Sequence, residues 1–285
     1  MMKHVIMMIR NYNVKTVGFD FEFSLPAFLL ERFETANPTV RVADARDILM
    51  ELRMIKTSGE IELIRKAQEI AIAGLEAARS FIREGVTELE IVAEVEYAMR
   101  KKGAERFAFP TFVNSGHRSH CLHGWATRKK IEKGDLILID VGPVFNGYCG
   151  DMARMFIVGQ PSDKQKSLVN LYVEARQAAV NVAKPGAVMR DLDDAANKIV
   201  ADAGYGKYYV RGIAHGIGLA FEEKPFVTIF PEDYVVELKA NMTLSIGHSI
   251  LSVPGIGGAR VEDVYLISED GAKLLVEYEH GLIEL

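Results

Sequence analysis

The dipeptide Asn146-Gly147 stands between two largely apolar runs, and it constrains the fold of this chain more than any other local feature. Asn-Gly is the strongest short signal for a two-residue β-hairpin, because both residues tolerate a positive φ angle. It predicts paired strands over 136–144 and 148–158, in which Asp140 faces Ala153. Asp151 then lies diagonally across from Asp140, and diagonal neighbours are about 7–8 Å apart, so both carboxylates can converge on one cation.

Asp140 is unusual because it ends the fully apolar run Leu136–Ile139. A buried carboxylate costs several kcal/mol unless it is compensated, although a lone aspartate at a strand end can also be a simple cap. Two buried carboxylates repel each other, so the pair needs a metal ion or a shared proton. Oxygen ligands favour hard or borderline divalent ions such as Mn²⁺ over the thiolate type of zinc site.

Two pairs of predicted helices, with glycine breaks at similar positions, lie about a hundred residues apart. Capping boxes at 57–60 and 87–90 begin the two helices of the first pair, and the helices of the second pair cover 163–182 and 187–203. Each pair precedes strand-like segments. The pattern predicts an α+β fold of two similar halves, with helices on one side of a shared antiparallel sheet. The strand-like segments are 107–114, 136–142 and 148–158 in the first half, and 208–213, 226–230, 242–252 and 260–268 in the second.

The first 55 residues are predicted to form a separate α/β piece, so we expect boundaries of 1–55 and 56–285. Two strands are too few for a stable independent sheet, so this piece either packs on the rest of the chain or on another subunit, or is the remnant of something larger. Its predicted strands are 14–20 and 39–43, and its predicted helices are 25–35 and 44–55, the latter with Asp44 as N-cap.

Composition narrows the class of protein. The chain has 285 residues, 49 % of them hydrophobic, and a formal net charge of −5. This charge gives no global attraction for phosphate backbones, so a nucleic-acid partner is not expected. Two cysteines, Cys121 and Cys149, exclude a disulfide scaffold. No apolar run reaches membrane-spanning length and no cleavage site follows the start, so we expect a cytoplasmic protein without a membrane partner.

Other polar residues are ambiguous when each is considered alone. His215 lies in a glycine-rich run, Glu262 stands at the entry of an apolar strand, and His123 precedes a glycine. Each fits an ordinary core or surface role as well as a ligand role. Arg154 and Arg260 are either surface charges or neutralise a cluster of carboxylates.

Taken in order, these residues form a family pattern. The order is His123, Asp140, Asp151, then His215-Gly216-Ile217-Gly218, then Arg260-Val261-Glu262-Asp263. It resembles the pita-bread metallopeptidases: Xaa-Pro dipeptidase (prolidase), aminopeptidase P, methionine aminopeptidase and the related creatinase. The stretch 131–154 is most similar to the Xaa-Pro branch, and the resemblance covers about 56–285.

The resemblance implies a pita-bread fold and a hydrolase that cleaves an amide bond, often one to proline, with a metal-activated water. It implies a small peptide or amide substrate, one or two divalent ions, usually Mn²⁺ or Co²⁺, and a homodimer. Asp140, Asp151, His215 and Glu262 would bind metal, and Asp151 and Glu262 would bridge two ions. His123 would contact the substrate near the scissile bond, and Glu262 counts among the catalytic residues.

Three departures weaken the match. The family expects a glutamate ligand where this chain has Gly247, and on a regular strand the neighbouring His248 points away, so that only a bulge turns it into the site. The family often has a substrate-binding histidine where this chain has Glu222, a further candidate catalytic residue. The N-terminal piece is less than half the usual length for the Xaa-Pro branch, in which this domain normally helps to build the dimer and to close the active site.

Two other functions therefore stay open beside the metallopeptidase. One is a creatinase-like hydrolase of a non-peptide C–N bond, with an altered or absent metal site. The other is a binding module without catalysis on the same fold. The retention of Asp140, Asp151, His215 and Glu262 favours the metallopeptidase.

Overall fold

The structure is a computed structural model that describes residues 2–19 and 26–285, and the chain divides into two compact units, Met1–Arg53 and Met54–Leu285. The elements of the smaller unit are α1 (Met2–Asn11), β1 (Thr16–Phe19), α2 (Ala27–Ala36), β2 (Arg41–Asp44) and α3 (Arg46–Met54). β1 and β2 are parallel, and the buried Phe33 packs edge-on against Phe19. The four predicted elements are present, except that their ends at 20 and 25 lie outside the described residues. α1 has no predicted counterpart.

Four helices of the larger unit form two pairs, in which each helix packs against the next one in the sequence, and each of the two predicted capping boxes is confirmed. The Oγ1 of Thr57 accepts from the Glu60 amide, while the Glu60 carboxylate accepts from the Thr57 amide, and Thr87 with Glu90 repeats this arrangement. These contacts satisfy amide groups that have no partner in the first helical turn. The helices are α4 (Ser58–Phe81), α5 (Glu88–Lys101), α6 (Asp163–Val182) and α7 (Met189–Asp202).

A group of strands follows each helix pair. The first group is β3 (Arg106–Phe107), β4 (Phe112–Ser115), β5 (Leu136–Val141), β6 (Pro143–Phe145), β7 (Tyr148–Cys149) and β8 (Met152–Ile157). The second group is β9 (Tyr209–Val210), β10 (Ala214–Gly216), β11 (Glu223–Phe226), β12 (Thr243–Ile246), β13 (Ile250–Val253), β14 (Gly257–Ala259), β15 (Asp263–Ser268) and β16 (Gly271–Leu274), before the terminal β17 (Ile283–Glu284). The two predicted α+β halves are thus present.

The main sheet of the first half has the strand order β17-β8-β5-β4, and that of the second half has the order β11-β10-β12-β15-β16. Neighbouring strands are antiparallel except β17, which runs parallel to β8. The antiparallel sheet expected from the sequence is thus divided by its hydrogen bonding into two sheets. Two sheets meet at one isolated bridge, where Ala153 and Glu262 exchange backbone hydrogen bonds of 3.2 and 3.1 Å.

The predicted hairpin has the expected register, with Asp140 opposite Ala153 and Phe145 opposite Tyr148. Asn146 and Gly147 have φ angles of 47° and 85°, as a two-residue turn of this type requires. The hairpin is interrupted, however, because the chain leaves the main sheet at Gly142. Its tip, β6 and β7, belongs to a separate small sheet with β3.

Several predicted strands of the second half are shorter than expected. The predicted strand 226–230 is wrong: β11 ends at Phe226, because Asp233 accepts a hydrogen bond from the Phe226 amide and closes a turn there. The predicted strand 242–252 is split between two sheets, and the break falls at 247–249. Over the described residues, no helix combines the length and the apolar character that crossing a membrane requires.

Candidate metal centre

Three carboxylates meet where the two main sheets join. Asp140 lies on β5 and is paired with Ala153, which is also paired with Glu262 at the isolated bridge. Paired residues of antiparallel strands project on the same face, so the small Ala153 side chain leaves room between two carboxylates. Asp151, just before β8, completes the group. The ligand oxygens of Asp140, Asp151 and Glu262 lie within 4.8 Å of one another, and all three residues are buried.

His215 on β10 faces this group from the second sheet. Its Nε2 lies 3.4 Å from Asp151 Oδ2 and 3.5 Å from Glu262 Oε1. Its Nδ1 is 3.0 Å from the Gly216 carbonyl oxygen, which can only accept, so that contact places the Nδ1 proton there. The lone pair of a neutral ring is then on Nε2, directed at the carboxylates, which is the orientation of a histidine ligand.

Arg260 supplies a fixed positive charge beside the carboxylates. Its Nη1 lies 3.1 Å from Asp140 Oδ2, and its Nε and Nη2 donate to Glu262 Oε2. It also donates to the Leu122 carbonyl at 3.2 Å. Arg260 is 2 % exposed and Arg154 is fully buried. The interpretation of these two arginines as surface charges is therefore wrong. Arg154 pairs with Asp263 at 2.6 Å, beside the centre.

Electrostatics separate the three carboxylates. Burial raises the pKa of Asp140 well above its usual value, although Arg260 opposes the shift. Burial and the neighbouring Glu262 raise the pKa of Asp151 to about 6. Burial would also raise the pKa of Glu262, but the Arg260 charge and the contact with His215 outweigh it and hold this pKa below its usual range. The raised pKa values of Asp140 and Asp151 reflect carboxylates with too little positive charge nearby, which a bound cation would supply.

Buried donor atoms without partners test whether a cation fits here. Among the described residues, Asp140 Oδ1, Asp151 Oδ1 and His215 Nε2 are inaccessible to solvent and make no hydrogen bond. Leaving such atoms unpaired costs about 1–3 kcal/mol each, more for charged groups. All three belong to the converging cluster, and their oxygen and nitrogen chemistry suits a divalent cation. The residues present therefore fit the metal that the sequence pattern implies.

The backbone at Gly247 departs from the strand that the sequence suggests. The amides of Gly247 and His248 both donate to the Ile213 carbonyl, at 2.8 and 3.0 Å, so two residues face one, which is a β-bulge. The bulge turns the His248 ring toward the centre, and the expectation that it points away is wrong. Its centroid is 4.7 Å from that of His215. At Gly247 (φ +127°), an added Cβ would lie 2.6 Å from Glu262 Cα and closer still to the Val261 carbonyl oxygen.

A cavity of about 210 Å³ opens onto the centre. Its polar wall includes Asp140, Asp151 and Arg260, together with His123, Glu222 and His248, and its apolar wall consists of Phe109, Pro110, Phe112 and Phe221. Partial burial and the Arg260 charge lower the pKa of His123 to about 4, so its ring is neutral at pH 7. Burial raises the pKa of Glu222, whose Oε1 lies 3.5 Å from His248 Nε2.

The structure thus brings Asp140, Asp151, His215 and Glu262 into one buried cluster, and it places His123 and Glu222 on the wall of the adjoining cavity. Sequence reasoning underrated His248. The signal was present, since a glycine inside an apolar strand often marks a bulge. The bridge between Ala153 and Glu262 left no such signal.

Comparison with known proteins gives consistent results. Residues 62–269 match the profile of metallopeptidase family M24. The chain is 40 % identical over 271 residues to the Xaa-Pro dipeptidase of Pyrococcus furiosus, and the match covers 95 % of this chain and 76 % of that protein. A solved Xaa-Pro dipeptidase from Bacillus anthracis superposes with a TM-score of 0.91 at 33 % identity, covering 100 % of this chain and 78 % of the other. The prolidase structure from Pyrococcus furiosus gives 0.87 at 38 %, covering 97 % and 79 %.

Proposed function

Because this chain belongs to metallopeptidase family M24, we propose that it hydrolyses the amide bond before proline in small peptides, using Mn²⁺ or Co²⁺. It is a metal-dependent hydrolase with the pita-bread fold of the prolidases. The observation that carries the proposal is the convergence of three buried donor atoms without partners, Asp140 Oδ1, Asp151 Oδ1 and His215 Nε2. None of these atoms makes a hydrogen bond within the described residues, and a divalent cation would satisfy all three.

We propose Asp140, Asp151, His215 and Glu262 as metal ligands. A divalent ion held there would supply a Lewis acid for the peptide carbonyl and would lower the pKa of a water molecule. Glu262 stays ionised because of Arg260, so it can hold a cation without first losing a proton. Arg260 in turn fixes the positions of Asp140 and Glu262, since it contacts both.

The substrate-binding roles follow from the cavity walls. His123 is solvent-accessible, neutral at pH 7 and lies on the cavity wall, so it can donate or accept a hydrogen bond at the scissile peptide. The rings of Phe109, Phe112 and Phe221 form an apolar wall that suits a pyrrolidine ring and excludes water from it. Glu222, the remaining candidate catalytic residue, faces the cavity beside His248.

One experiment tests metal dependence and substrate class together. The chain is stripped with a chelator, reloaded with Mn²⁺ or Co²⁺, and assayed with Xaa-Pro dipeptides and with creatine-like guanidino compounds. We expect metal-dependent release of proline that falls about 100-fold or more in Asp151→Ala. Asp270→Ala is the matched control, because Asp270 is an exposed aspartate whose ion pair with Lys273 lies on the surface.

Three outcomes contradict the proposal. Turnover of proline dipeptides that survives chelation would remove the metal from the mechanism. Turnover confined to guanidino compounds would instead support the creatinase-like function, and the absence of any turnover in metal-loaded protein would support a binding module. The similarity to peptidases favours neither of these alternatives.

A further inference from the structure

We propose that His248 is a metal ligand, and that with His215 and Glu262 it forms a nitrogen-rich cation position beside the carboxylate position of Asp140 and Asp151. The inference rests on the metal-dependent function proposed above and concerns what holds a second ion. Position 247 carries no side chain, so a cation there needs a donor from another residue.

The distances among the donors suit one ion. His248 Nδ1 lies 3.8 Å from Glu262 Oε1, and His215 Nε2 lies 3.5 Å from the same oxygen. Ligands of one divalent ion with bonds of about 2.1 Å have donor atoms roughly 3–4 Å apart. The two imidazole rings are perpendicular to each other, and all three residues are buried, so their orientations are fixed by packing.

Hydrogen bonding fixes the tautomer of His248. Arg260 Nη2 lies 3.2 Å from His248 Nδ1, and a guanidinium can only donate, so Nδ1 must carry a lone pair. In a neutral ring the proton is then on Nε2, which faces Glu222 Oε1 at 3.5 Å. A carboxylate behind the far nitrogen is the usual support of a histidine ligand, so Glu222 is a positioning residue for His248. A cation at Nδ1 would replace one contact of Arg260, which keeps its contact with Asp140.

The backbone leaves no alternative donor at position 247. The bulge presses Gly247 against the Val261 carbonyl and Glu262 Cα, so no side chain fits there without moving the main chain that carries Glu262. The same bulge aims His248 inward. The loss of a side chain at one position and the gain of an imidazole at the next therefore have one backbone cause.

The two cation positions differ in chemistry. Carboxylate oxygens alone suit Mn²⁺, whereas imidazole nitrogens favour Co²⁺ or Zn²⁺. The arrangement predicts that Mn²⁺ fills the position of Asp140 and Asp151 readily and the position of His215 and His248 weakly. Co²⁺ fills both.

The test uses the full chain stripped of metal and dialysed against Co²⁺, with ions per chain counted by mass spectrometry. X-ray absorption at the cobalt edge measures imidazole coordination independently of activity. We expect His248→Ala to bind the second ion about 10-fold more weakly or not at all, and to lose imidazole scattering. His117→Ala, which removes an exposed histidine, serves as the matched control and keeps both.

Two further variants guard against a simple folding defect. His248→Glu keeps a ligand and should retain the ion count, with weaker imidazole scattering and a preference shifted toward Mn²⁺. Glu222→Gln should weaken the second ion about 10-fold without changing the number of imidazoles. Both ions bound by His248→Ala with an unchanged spectrum would overturn this inference alone. Wild-type chain that binds no cobalt, or Asp151→Ala that binds it normally, would overturn the proposed function as well.

Discussion

The close approach of the backbone at Gly247 makes a quantitative prediction for Gly247→Ala. A φ angle of +127° costs a residue with a Cβ about 1–2 kcal/mol. The new Cβ also lies 2.6 Å from Glu262 Cα, a backbone atom that cannot rotate away, and such overpacking adds about 1–3 kcal/mol. We therefore expect a total loss of about 2–5 kcal/mol in the free energy of unfolding.

Gly271→Ala isolates the steric part of this loss. Gly271 has a similar φ, +123°, but a Cβ there would lie 3.6 Å from its nearest heavy atom, the Ala183 carbonyl oxygen, which is an ordinary van der Waals distance. Its variant should lose the conformational cost alone, so the difference between the variants is about 1–3 kcal/mol. For a domain of this size that corresponds to about 2–10 °C in Tm, measured by calorimetry in chelator so that metal binding does not contribute.

Equal losses in Gly247→Ala and Gly271→Ala would refute the reasoning. The backbone around Glu262 would then have room for a side chain at position 247, and the structural reason for His248 to act as a ligand would disappear. Gly247→Glu would sharpen that result, because it would then gain metal affinity instead of losing stability.

Three more predictions concern buried charges outside the cation positions. Asp263→Ala leaves Arg154 and Arg176 buried without their carboxylate and should cost about 3–5 kcal/mol by urea unfolding. Burial would raise the pKa of Asp263, but the charges of Arg154 and Arg176 outweigh burial and lower this pKa. The ionised Asp263 therefore stabilises the fold at pH values above the pKa of an aspartate in the unfolded chain, about 4. That stability should be lost as the pH falls below about 4, and a pH series of unfolding midpoints should be flatter in Asp263→Asn. Glu88→Ala removes the buried carboxylate that accepts hydrogen bonds from the amides of Ser115 and Thr127. Hydrogen exchange of the backbone amides in 115–127, the segment that carries His123, should therefore be faster in the metal-free variant than in the metal-free wild type.

Local rules predicted the parts of the fold that are governed by neighbours in sequence. The capping boxes at Thr57 and Thr87 and the Asn146-Gly147 turn each depend on residues within a few positions, and each is present. The register of the hairpin followed from the turn, and with it the proximity of Asp140 and Asp151. These two carboxylates were therefore found from spacing alone.

Contacts between the two halves were outside the reach of such rules. Glu262 reaches Asp140 because a single bridge to Ala153 joins two sheets, and no local pattern specifies a bridge between residues 109 positions apart. The resemblance to a family supplied Glu262 and His215, whereas the apolar pattern of 242–252 predicted a regular strand across 247. There the glycine that removes a ligand also permits a bulge, which regular strand alternation does not anticipate.

The two unusual residues of the cavity form a coupled change rather than two separate losses. Where the family pattern has a carboxylate ligand and a substrate-binding histidine, this chain has an imidazole at 248 and a carboxylate at 222, and the two side chains face each other at 3.5 Å. Both arrangements have one carboxylate and one imidazole in the centre, so the formal charge of the centre is the same. In this chain, however, the imidazole is the group beside Glu262. A single replacement would break this balance: a histidine at both positions would remove one negative charge from the centre, and a glutamate at both would bury another negative charge beside Glu262. Glu222 and His248 should therefore be strongly non-additive in a double-mutant cycle of cobalt affinity, whereas independent substitutions would give additive losses.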